Sequence, residues 1–352
     1  MKRLLIVCTV FATFLVSLAI APSAVAQSCH AWPDGASLQN AINNYACVQI
    51  SAGTYEILRP VNLPSNRTVR GAGINVTIIR AGSGYSNVSD GMFSANGSTN
   101  ILITRFTVDG GGLAIGGIGA NGITVDNMRI TGAKCFGVGI AGTGMVVRYS
   151  VIEYNGTSCP NAPPGAGIYA EGVASNYAPQ IYGNTIRNNV GPAVDVNGVW
   201  GGSLTNNTIY GNSSWAGVSL YGTSYWNVSG NSISHPSTAT GQPYHPYCAG
   251  GPIGPGSAGI FLCQDTDTNN LVTVYNSITN NASSSRYGIL SIGADEIAPY
   301  WAPPLNTFTG NNVFGSSYGC ADDFYPGQWF NDDNTWSDNN CAGSPNTPPG
   351  YF

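Results

Sequence analysis

Two acidic residues lie in short apolar segments that carry few other charges. Asp195 interrupts the segment 193–196, and Glu171 ends the segment 167–171. In a β-strand, alternate residues point to the same face, so these segments bury their apolar positions and turn the residues between them outward. Asp195 and Glu171 are therefore expected to face outward, where a carboxylate can act as an acid, a base or a metal ligand.

Neighbouring segments place further polar and aromatic side chains at the same outward positions. The strip that this alternation predicts consists of Tyr169, Glu171, Asp195, Asn197, Ser219 and Tyr221. We predict a site along this strip, with Asp195 and Glu171 at its centre and Asn197, Ser219 and Tyr221 in contact with the substrate.

The expected distance between the two carboxylates suggests their chemistry. If their segments are adjacent strands, a strand spacing of ~4.8 Å and an offset of ~6.6 Å separate the two backbones by about 8 Å. This separation suits an acid and a base on either side of a glycosidic bond and a water molecule. Alternatively, Glu171 and Asp195 hold a Ca²⁺ ion that neutralises a uronate; Ca²⁺ is the only cofactor that the sequence suggests. A pair of solvated carboxylates without a catalytic role is the third interpretation.

Removal of a proton next to a uronate carboxylate would require a base. The candidates are Lys134, Arg187 and Tyr169. Lys134 is the only lysine after Lys2, and it lies beside Cys135 in a turn that leads into an earlier segment of the same kind. The alternative for Lys134 is a solvated turn residue.

Two tryptophans follow the outward segments. Trp200 comes after the Asp195 segment, and Trp226 comes after the Ser219 segment. Flat rings beside a groove are suitable platforms for pyranose rings, and we predict that both tryptophans contact the substrate. The alternative is that they pack over the ends of the coils.

A repeat positions these residues. Ile186, Ile209 and Ile233 are 23 and 24 residues apart, a period that indicates a solenoid. One apolar position follows the repeat through the chain: Val108, Ile130, Ile152, Ile186, Ile209, Ile233, Ile278 and Val313. The later markers have an asparagine two residues before them, where stacked amides are expected to form a ladder. These residues are Asn184, Asn207, Asn231, Asn276 and Asn311.

The period also determines the fold class. A coil of 22–24 residues accommodates three short strands and three turns, which predicts an all-β chain folded as a right-handed parallel β-helix. Residues 34–42 give one helix signal, with Asp34 as a possible N-cap, and this helix is expected to cap the open edge of the solenoid. We assign residues 27–320 to the β-helix with its cap and residues 321–352 to a C-terminal cap or tail pinned by a disulfide.

The first 26 residues have the pattern of a secretory signal peptide. Lys2 and Arg3 precede an apolar run, and Ala24-Val-Ala26 is a small-residue cleavage signal. We therefore expect a secreted protein, extracellular or periplasmic, that is a monomer and does not span a membrane after cleavage.

Without this segment, 10 basic residues (12 minus Lys2 and Arg3) face 17 acidic ones, a net charge of −7. That charge argues against binding to nucleic acid or anionic lipid.

Eight cysteines follow the signal segment, and an even number in an exported chain favours disulfides. Spacing alone does not determine the connectivity. Pairing of sequence neighbours predicts Cys29–Cys47, Cys135–Cys159, Cys248–Cys263 and Cys320–Cys341.

Residues 34 to about 320 resemble the pectate-lyase-like right-handed β-helix family. The resemblance is carried by the helix signal at 34–42, the segments Ala52–Tyr55 and Arg70–Gly73, and the Asn-x-Ile repeat. It implies a groove along the strands that carry Asp195. The family contains lyases, hydrolases, epimerases and non-catalytic members, so the fold does not decide the function.

The motifs of two well-known activities in that family are missing. The sequence lacks the combination of paired aspartates, Gly-His-Gly and Arg-x-Lys that polygalacturonase-like hydrolases carry, and it lacks the Asp-Pro-His of alginate epimerases. From the sequence we predict a secreted β-helix that acts on an acidic polysaccharide as a lyase or epimerase. The alternatives are a non-catalytic glycan-binding or cell-surface structural protein and an inverting glycoside hydrolase.

Overall fold

The computed structural model describes residues 28–86, 89–159, 165–172, 178–234, 258–263, 277–279, 281–284, 287–292, 306–313, 318–323 and 335–341. The predicted signal peptide and the insertion at 237–257 lie outside these residues. One helix, α1, spans Leu38–Asn44. The first sixteen strands are β1 His30–Trp32, β2 Cys47–Ile50, β3 Gly53–Ile57, β4 Val61–Asn62, β5 Arg67–Gly71, β6 Thr77–Ala81, β7 Gly91–Ser94, β8 Thr99–Thr104, β9 Thr107–Asp109, β10 Leu113–Asp126, β11 Arg129–Thr131, β12 Phe136–Thr143, β13 Val146–Arg148, β14 Val151–Glu153, β15 Ile168–Glu171 and β16 Gln180–Tyr182. The remaining strands are β17 Thr185–Arg187, β18 Val194–Asn197, β19 Trp200–Thr205, β20 Thr208–Tyr210, β21 Ala216–Tyr221, β22 Ser224–Ser229, β23 Ser232–Ser234, β24 Ala258–Cys263, β25 Ser277–Thr279, β26 Ala282–Ser284, β27 Tyr287–Ile292, β28 Thr307–Thr309, β29 Asn312–Val313, β30 Tyr318–Asp323, β31 Thr335–Ser337 and β32 Asn340–Cys341.

The strands stack in parallel into three faces, and each coil contributes a strand to each face. The first face contains β12, β15, β18, β21 and β24, and the second contains β13, β16, β19 and β22. The long strand β10 joins these two faces into one 21-stranded sheet, while the third face is a separate 11-stranded sheet. The chain is thus a right-handed parallel β-helix, as its period predicts.

The marker position lies on the third face and holds its register over most of the chain. Ile130, Ile152, Ile186, Ile209 and Ile233 pair directly, each with the next, and all are at most 1% exposed. The prediction is wrong at one marker: Ile278 lies on the second face and pairs with Val228, and Ser283 follows Ile233 in the column. The long segment after Ser234 breaks the period, so spacing alone could not distinguish the two faces.

Buried asparagines form the predicted ladder beside this column. The backbone N–H and the Nδ2 of Asn184 both donate to Asn207 Oδ1 at 3.0 Å, and Asn207 donates in the same way to Asn231. The ladder continues through Asn281, Asn311 and Asn339. Asn281 therefore occupies the place that was assigned to Asn276, a residue outside the described part of the chain.

A second asparagine ladder lies on the other side of the third face. Asn155 donates to Asn189 Oδ1, and Asn189 donates to Asn212 Oδ1, at 2.9–3.0 Å. All three side chains are at most 1% exposed. This ladder was not predicted, although Asn189 and Asn212 are 23 residues apart and so carry the same period as the first ladder.

The N-terminal helix caps the solenoid, but its N-cap differs from the prediction. Ser37 is the N-cap, and its Oγ accepts a hydrogen bond from the backbone N–H of Asn40. Asp34 instead accepts hydrogen bonds from His30 Nε2 at 2.7 Å and from the N–H of Ala36 at 3.0 Å. A hydroxyl next to the first helical residue can reach the free N–H groups of the first turn, whereas Asp34 lies too early in the chain.

Three of the predicted disulfides are present: Cys29–Cys47, Cys135–Cys159 and Cys320–Cys341. The fourth predicted pair includes Cys248, which lies outside the described residues, so that pairing stays a prediction. Within the described ranges, no helix is long and apolar enough to cross a membrane.

Candidate active site

The first face carries the predicted outward strip in two columns. Tyr169 pairs with Asp195, and Asp195 pairs with Ser219. Glu171 pairs with Asn197, and Asn197 pairs with Tyr221. The register therefore confirms that these six residues lie side by side on one face, with Glu171 and Asp195 on a diagonal.

The small residue before β15 permits this close stacking. A Cβ at Gly167 would lie 2.8 Å from the carbonyl oxygen of Ala193 in the next coil and 2.9 Å from Asn189 Nδ2. Only glycine fits there, because backbone and a buried amide cannot move away. Gly167 thus brings β15 against β18 and fixes the spacing between Tyr169 and Asp195.

The outward strip is open to solvent on β15 and buried on β21. Glu171 is exposed, and Tyr169, Asp195 and Asn197 are partly buried. Ser219 and Tyr221, in the next coil, are only 3% and 4% exposed. The prediction that Ser219 and Tyr221 contact substrate is therefore wrong for this conformation, although Ser219 lies within hydrogen-bonding reach of the Asp195 carboxyl and can position it.

Burial governs the protonation of Asp195. Burial and the nearby charge of Glu171 raise the pKa of Asp195 to about 6, against the opposing hydrogen bond from Ser219. A carboxyl with such a pKa carries a proton through mildly acidic conditions, as general acids of glycan-cleaving enzymes do. The environments of the two carboxylates thus differ, because Glu171 is exposed and Asp195 is not.

Tyr169 stays protonated for related reasons. Burial raises the pKa of its hydroxyl, and the charges of Glu171 and Asp195 raise it further. The hydroxyl lies within hydrogen-bonding reach of Asn197 and Glu171. Tyr169 is therefore a hydrogen-bond donor at this site rather than a base.

Phe136 contributes to the site and was not predicted. Its ring stacks on that of Tyr169, with centroids 4.6 Å apart and planes 12° from parallel. Phe136 begins β12 three residues before Gly139, the strand partner of Tyr169. Because Gly139 has no side chain, the Tyr169 ring can lie flat beside Phe136. The sequence contained a signal for this contact, because Phe136 begins a glycine-rich strand segment, residues 136–143.

Lys134 lies in a turn at the edge of the first face. It is exposed between β11 and β12, and its N–H donates to the Gly111 carbonyl at 2.9 Å. It comes two residues before Phe136, whose ring stacks on Tyr169. A catalytic role for Lys134 stays a prediction.

Arg187 belongs to a different cluster on the third face. Its Nε lies 2.7 Å from Glu153 Oε2, and it donates to the Tyr210 hydroxyl at 2.7 Å. Arg129 contacts the same carboxylate at 2.6 Å, and the Glu153 side chain is fully buried. The hydrogen bonds that the Arg187 guanidinium donates to Tyr210 and Glu153 raise the pKa of Arg187. The prediction of Arg187 as a base is therefore wrong, because it stays charged and pairs elsewhere.

The two tryptophans have opposite environments. Trp200 is 51% exposed and stacks with Tyr225, which is 50% exposed, with ring centroids 5.5 Å apart and planes 10° from parallel. Trp226 is 1% exposed, and its Nε1 donates to the carbonyl of Val199 at 3.2 Å. Trp226 is a core residue, so the prediction that it contacts substrate is wrong; Tyr225, its neighbour in the chain, takes the exposed position.

We expect Trp226→Ala to lower the free energy of unfolding by about 3–5 kcal/mol, because it leaves a large cavity in the core. Trp200→Ala should cost less than about 1.5 kcal/mol, the usual worth of a stacked aromatic pair. Urea denaturation followed by circular dichroism measures both values. Equal losses in the two variants would contradict the assignment of only Trp226 to the core.

The donor set for a Ca²⁺ ion is small. Among the residues that the structure describes, no group of three or more His, Cys, Asp or Glu side chains could hold a metal. Glu171 and Asp195 remain a pair, and Ca²⁺ usually takes about six to eight oxygen ligands. Neutral oxygens of Tyr169 and Asn197 would have to complete the shell, so Ca²⁺ binding stays a prediction.

Comparison with known proteins agrees with the fold. Residues 161–342, which are 182 of the 352, match the family described as the right-handed beta helix region. The chain belongs to this right-handed β-helix family. No curated protein sequence is significantly similar to it.

Solved structures extend the similarity to most of this β-helix chain. An alginate lyase from Paenibacillus sp. str. FPU-7 has a TM-score of 0.52 at 15% identity, covering 86% of this chain and 96% of the lyase. ORF18 of Geobacillus virus E2 has a TM-score of 0.58 at 13% identity over 86% of this chain. Gene product 12 of bacteriophage phi29 has a TM-score of 0.52 at 13% identity over 81% of this chain. This chain spans 55% and 48% of the two viral chains. At these identities the similarity concerns the fold alone.

Proposed function

We propose that this chain is an exported enzyme that hydrolyses glycosidic bonds of a neutral polysaccharide, with Asp195 as general acid and Glu171 as general base. The observation that carries the proposal is the difference between the two carboxyl groups. One is partly buried with a pKa of about 6, and the other is exposed on the adjacent strand. Two carboxyl groups in different environments are the usual equipment for glycoside hydrolysis.

The reaction follows from these positions. The Asp195 carboxyl donates its proton to the glycosidic oxygen, and the bond from that oxygen to the anomeric carbon breaks. Glu171 accepts a proton from water, whose oxygen forms the new bond to the anomeric carbon. Strand geometry puts the two backbones about 8 Å apart. A distance of about 6.5–9.5 Å between the carboxyl groups would leave room for that water and favour inversion of configuration over a covalent intermediate. Tyr169 and Asn197 can hold the sugar hydroxyls beside the pair.

The charges around the site favour a neutral substrate over a uronate. The charge of Glu171 raises the pKa of Asp195, and the charges of Glu171 and Asp195 raise the pKa of Tyr169. The charged neighbours that shift these two groups are thus carboxylates. A substrate carboxylate at this place would be repelled unless a cation screened it. For this reason we rank the hydrolase above the lyase or epimerase that the sequence favoured.

A uronate lyase is the second candidate. Its support is the protonated hydroxyl of Tyr169, which could protonate a leaving oxygen, together with two carboxylates that could bind Ca²⁺. Both candidates assume export, and the disulfides support it, because such bonds persist mainly in oxidising compartments.

One assay distinguishes the candidates. The secreted chain is incubated with glucan, xylan, mannan, polygalacturonate or alginate, with and without a chelator, across pH 4 to about 8. We expect new reducing ends on a neutral polysaccharide, no unsaturated product and no effect of the chelator. The rate should fall as the pH rises through about 6, because Asp195 loses the proton that it must donate. Unsaturated product that requires Ca²⁺ would contradict the hydrolase, and the absence of product on all substrates would contradict both candidates.

A further inference from the structure

Two half-exposed aromatic rings stack on each other at the edge of the candidate site. Trp200 and Tyr225 lie in successive coils, with planes 10° from parallel, and each exposes about half of its surface. Trp200 begins β19, three residues after Asn197, the last residue of β18. Three residues span at most about 10 Å, so the rings border the site.

The backbone turns these rings outward. Gly201 has a φ of 74°, and Tyr225, which follows the strand partner of Trp200, has a φ of 60°. A non-glycine residue in this region is uncommon and usually carries a cost. The two neighbouring coils thus share a left-handed kink at the position that presents the aromatic pair.

The outward positions on the next two strands of the first face, β21 and β24, are closed to a ligand that runs along the solenoid axis. The outward positions that follow Asp195 and Asn197 in the stack are Ser219 and Tyr221, and both are buried. The next coil has Phe261 in the same column, and it is 4% exposed. A bound chain that crosses Asp195 therefore finds no open surface on β21 or β24.

We infer that the polysaccharide leaves the Glu171–Asp195 pair across the ends of the strands, where a pyranose ring stacks on the exposed face of the Trp200–Tyr225 stack. This inference builds on the proposed glycan-cleaving function and names a binding subsite for it. The ligand is a polysaccharide of pyranose rings with flat, apolar faces, because aromatic faces bind such surfaces. It also departs from the groove along the strand stack that the family resemblance implies.

The chain offers a matched control for aromatic exposure. Tyr149 is 59% exposed and contacts Tyr182, but these two rings meet at 89°, edge to face. Tyr149 lies between β13 and β14, at the corner of the second and third faces. Tyr149 is thus an exposed aromatic residue without a parallel stacked partner, and it is remote from the proposed path.

The test measures binding, read as slower migration, instead of product release. Wild-type protein, Trp200→Ala, Tyr225→Ala, Trp200→Phe and Tyr149→Ala are run in native gels that contain soluble glucan, xylan or mannan at graded concentrations. We expect at least one polysaccharide to retard the wild type. Trp200→Ala and Tyr225→Ala should bind it about tenfold more weakly, a size of effect that is common for buried aromatic anchors. Trp200→Phe should recover most of the binding, and Tyr149→Ala should match the wild type.

Three outcomes would overturn the inference: no retardation of the wild type in any gel, unchanged retardation of Trp200→Ala, or an equal loss in Tyr149→Ala. Circular dichroism of each variant separates lost binding from lost folding. Retardation does not depend on catalysis, so the two proposals can fail separately. Binding that depends on Trp200 without any cleavage would reject the hydrolase alone, and cleavage that is insensitive to Trp200→Ala would reject the subsite alone.

Discussion

Asp195→Asn is expected to lower the rate of glycan cleavage by about 10² to 10⁴, the usual contribution of a general acid. The amide keeps the size of the side chain and its hydrogen bond with Ser219 but has no proton to give to the glycosidic oxygen. Glu171→Gln should cause a loss of similar size, because the attacking water then lacks its base. Release of reducing ends from the best neutral polysaccharide measures both.

Glu56→Gln serves as the matched control for these variants. Glu56 is an exposed carboxylate on β3, which belongs to the third face, away from the strip. Its replacement should leave the rate unchanged. If Asp195→Asn retained more than about a tenth of the wild-type rate, the assignment of Asp195 as general acid would be wrong.

The stability of Asp195→Asn shows whether the variant loses activity through misfolding. The folded-state pKa of Asp195 is about 6, above the ordinary value of 3.8, so the folded protein binds this proton more tightly than the unfolded chain does. Its stabilising contribution is complete below about pH 4 and is lost as the pH rises through about 6. The neutral amide avoids that loss. At pH 8 the variant should be more stable than the wild type by on the order of 2 kcal/mol.

Asn207→Ala is expected to lower the free energy of unfolding by about 3–5 kcal/mol, a large effect for one side chain. Asn207 Oδ1 accepts both hydrogen bonds of Asn184, and its Nδ2 donates to the carbonyl of Ile181 and to Asn231 Oδ1. Alanine leaves these buried groups without partners, and each unsatisfied group costs about 1–3 kcal/mol. Urea denaturation at neutral pH measures the loss.

Asn227→Ala is the control for the ladder. Asn227 lies on β22, one coil later and on the second face, and its side chain is exposed. Replacement should change the stability by no more than about 0.5 kcal/mol. A similar small effect for Asn207→Ala would show that water replaces the ladder amide and that the ladder contributes little.

The sequence by itself determined the coil and its register. In a parallel β-helix one repeat is one turn, so residues one period apart are neighbours in space. That is why Ile186, Ile209 and Ile233 stack as predicted, and why Tyr169, Asp195 and Ser219 lie in one column. The register failed at Ile278 and at the ladder position assigned to Asn276, where a long segment interrupts the period.

The tertiary structure alone decided which of these residues can meet a ligand. Exposure depends on what the neighbouring coils place beside a side chain, and spacing along one chain contains no such information. Trp226 and Tyr225 are adjacent in sequence, yet one is buried in the core and the other is half exposed. Ser219 faces outward like Asp195, yet Ser219 is buried while Asp195 is only partly buried. The candidate site therefore narrows to Tyr169, Glu171, Asp195 and Asn197. These are the members of the two predicted columns that keep some exposure, whereas Ser219 and Tyr221 are buried.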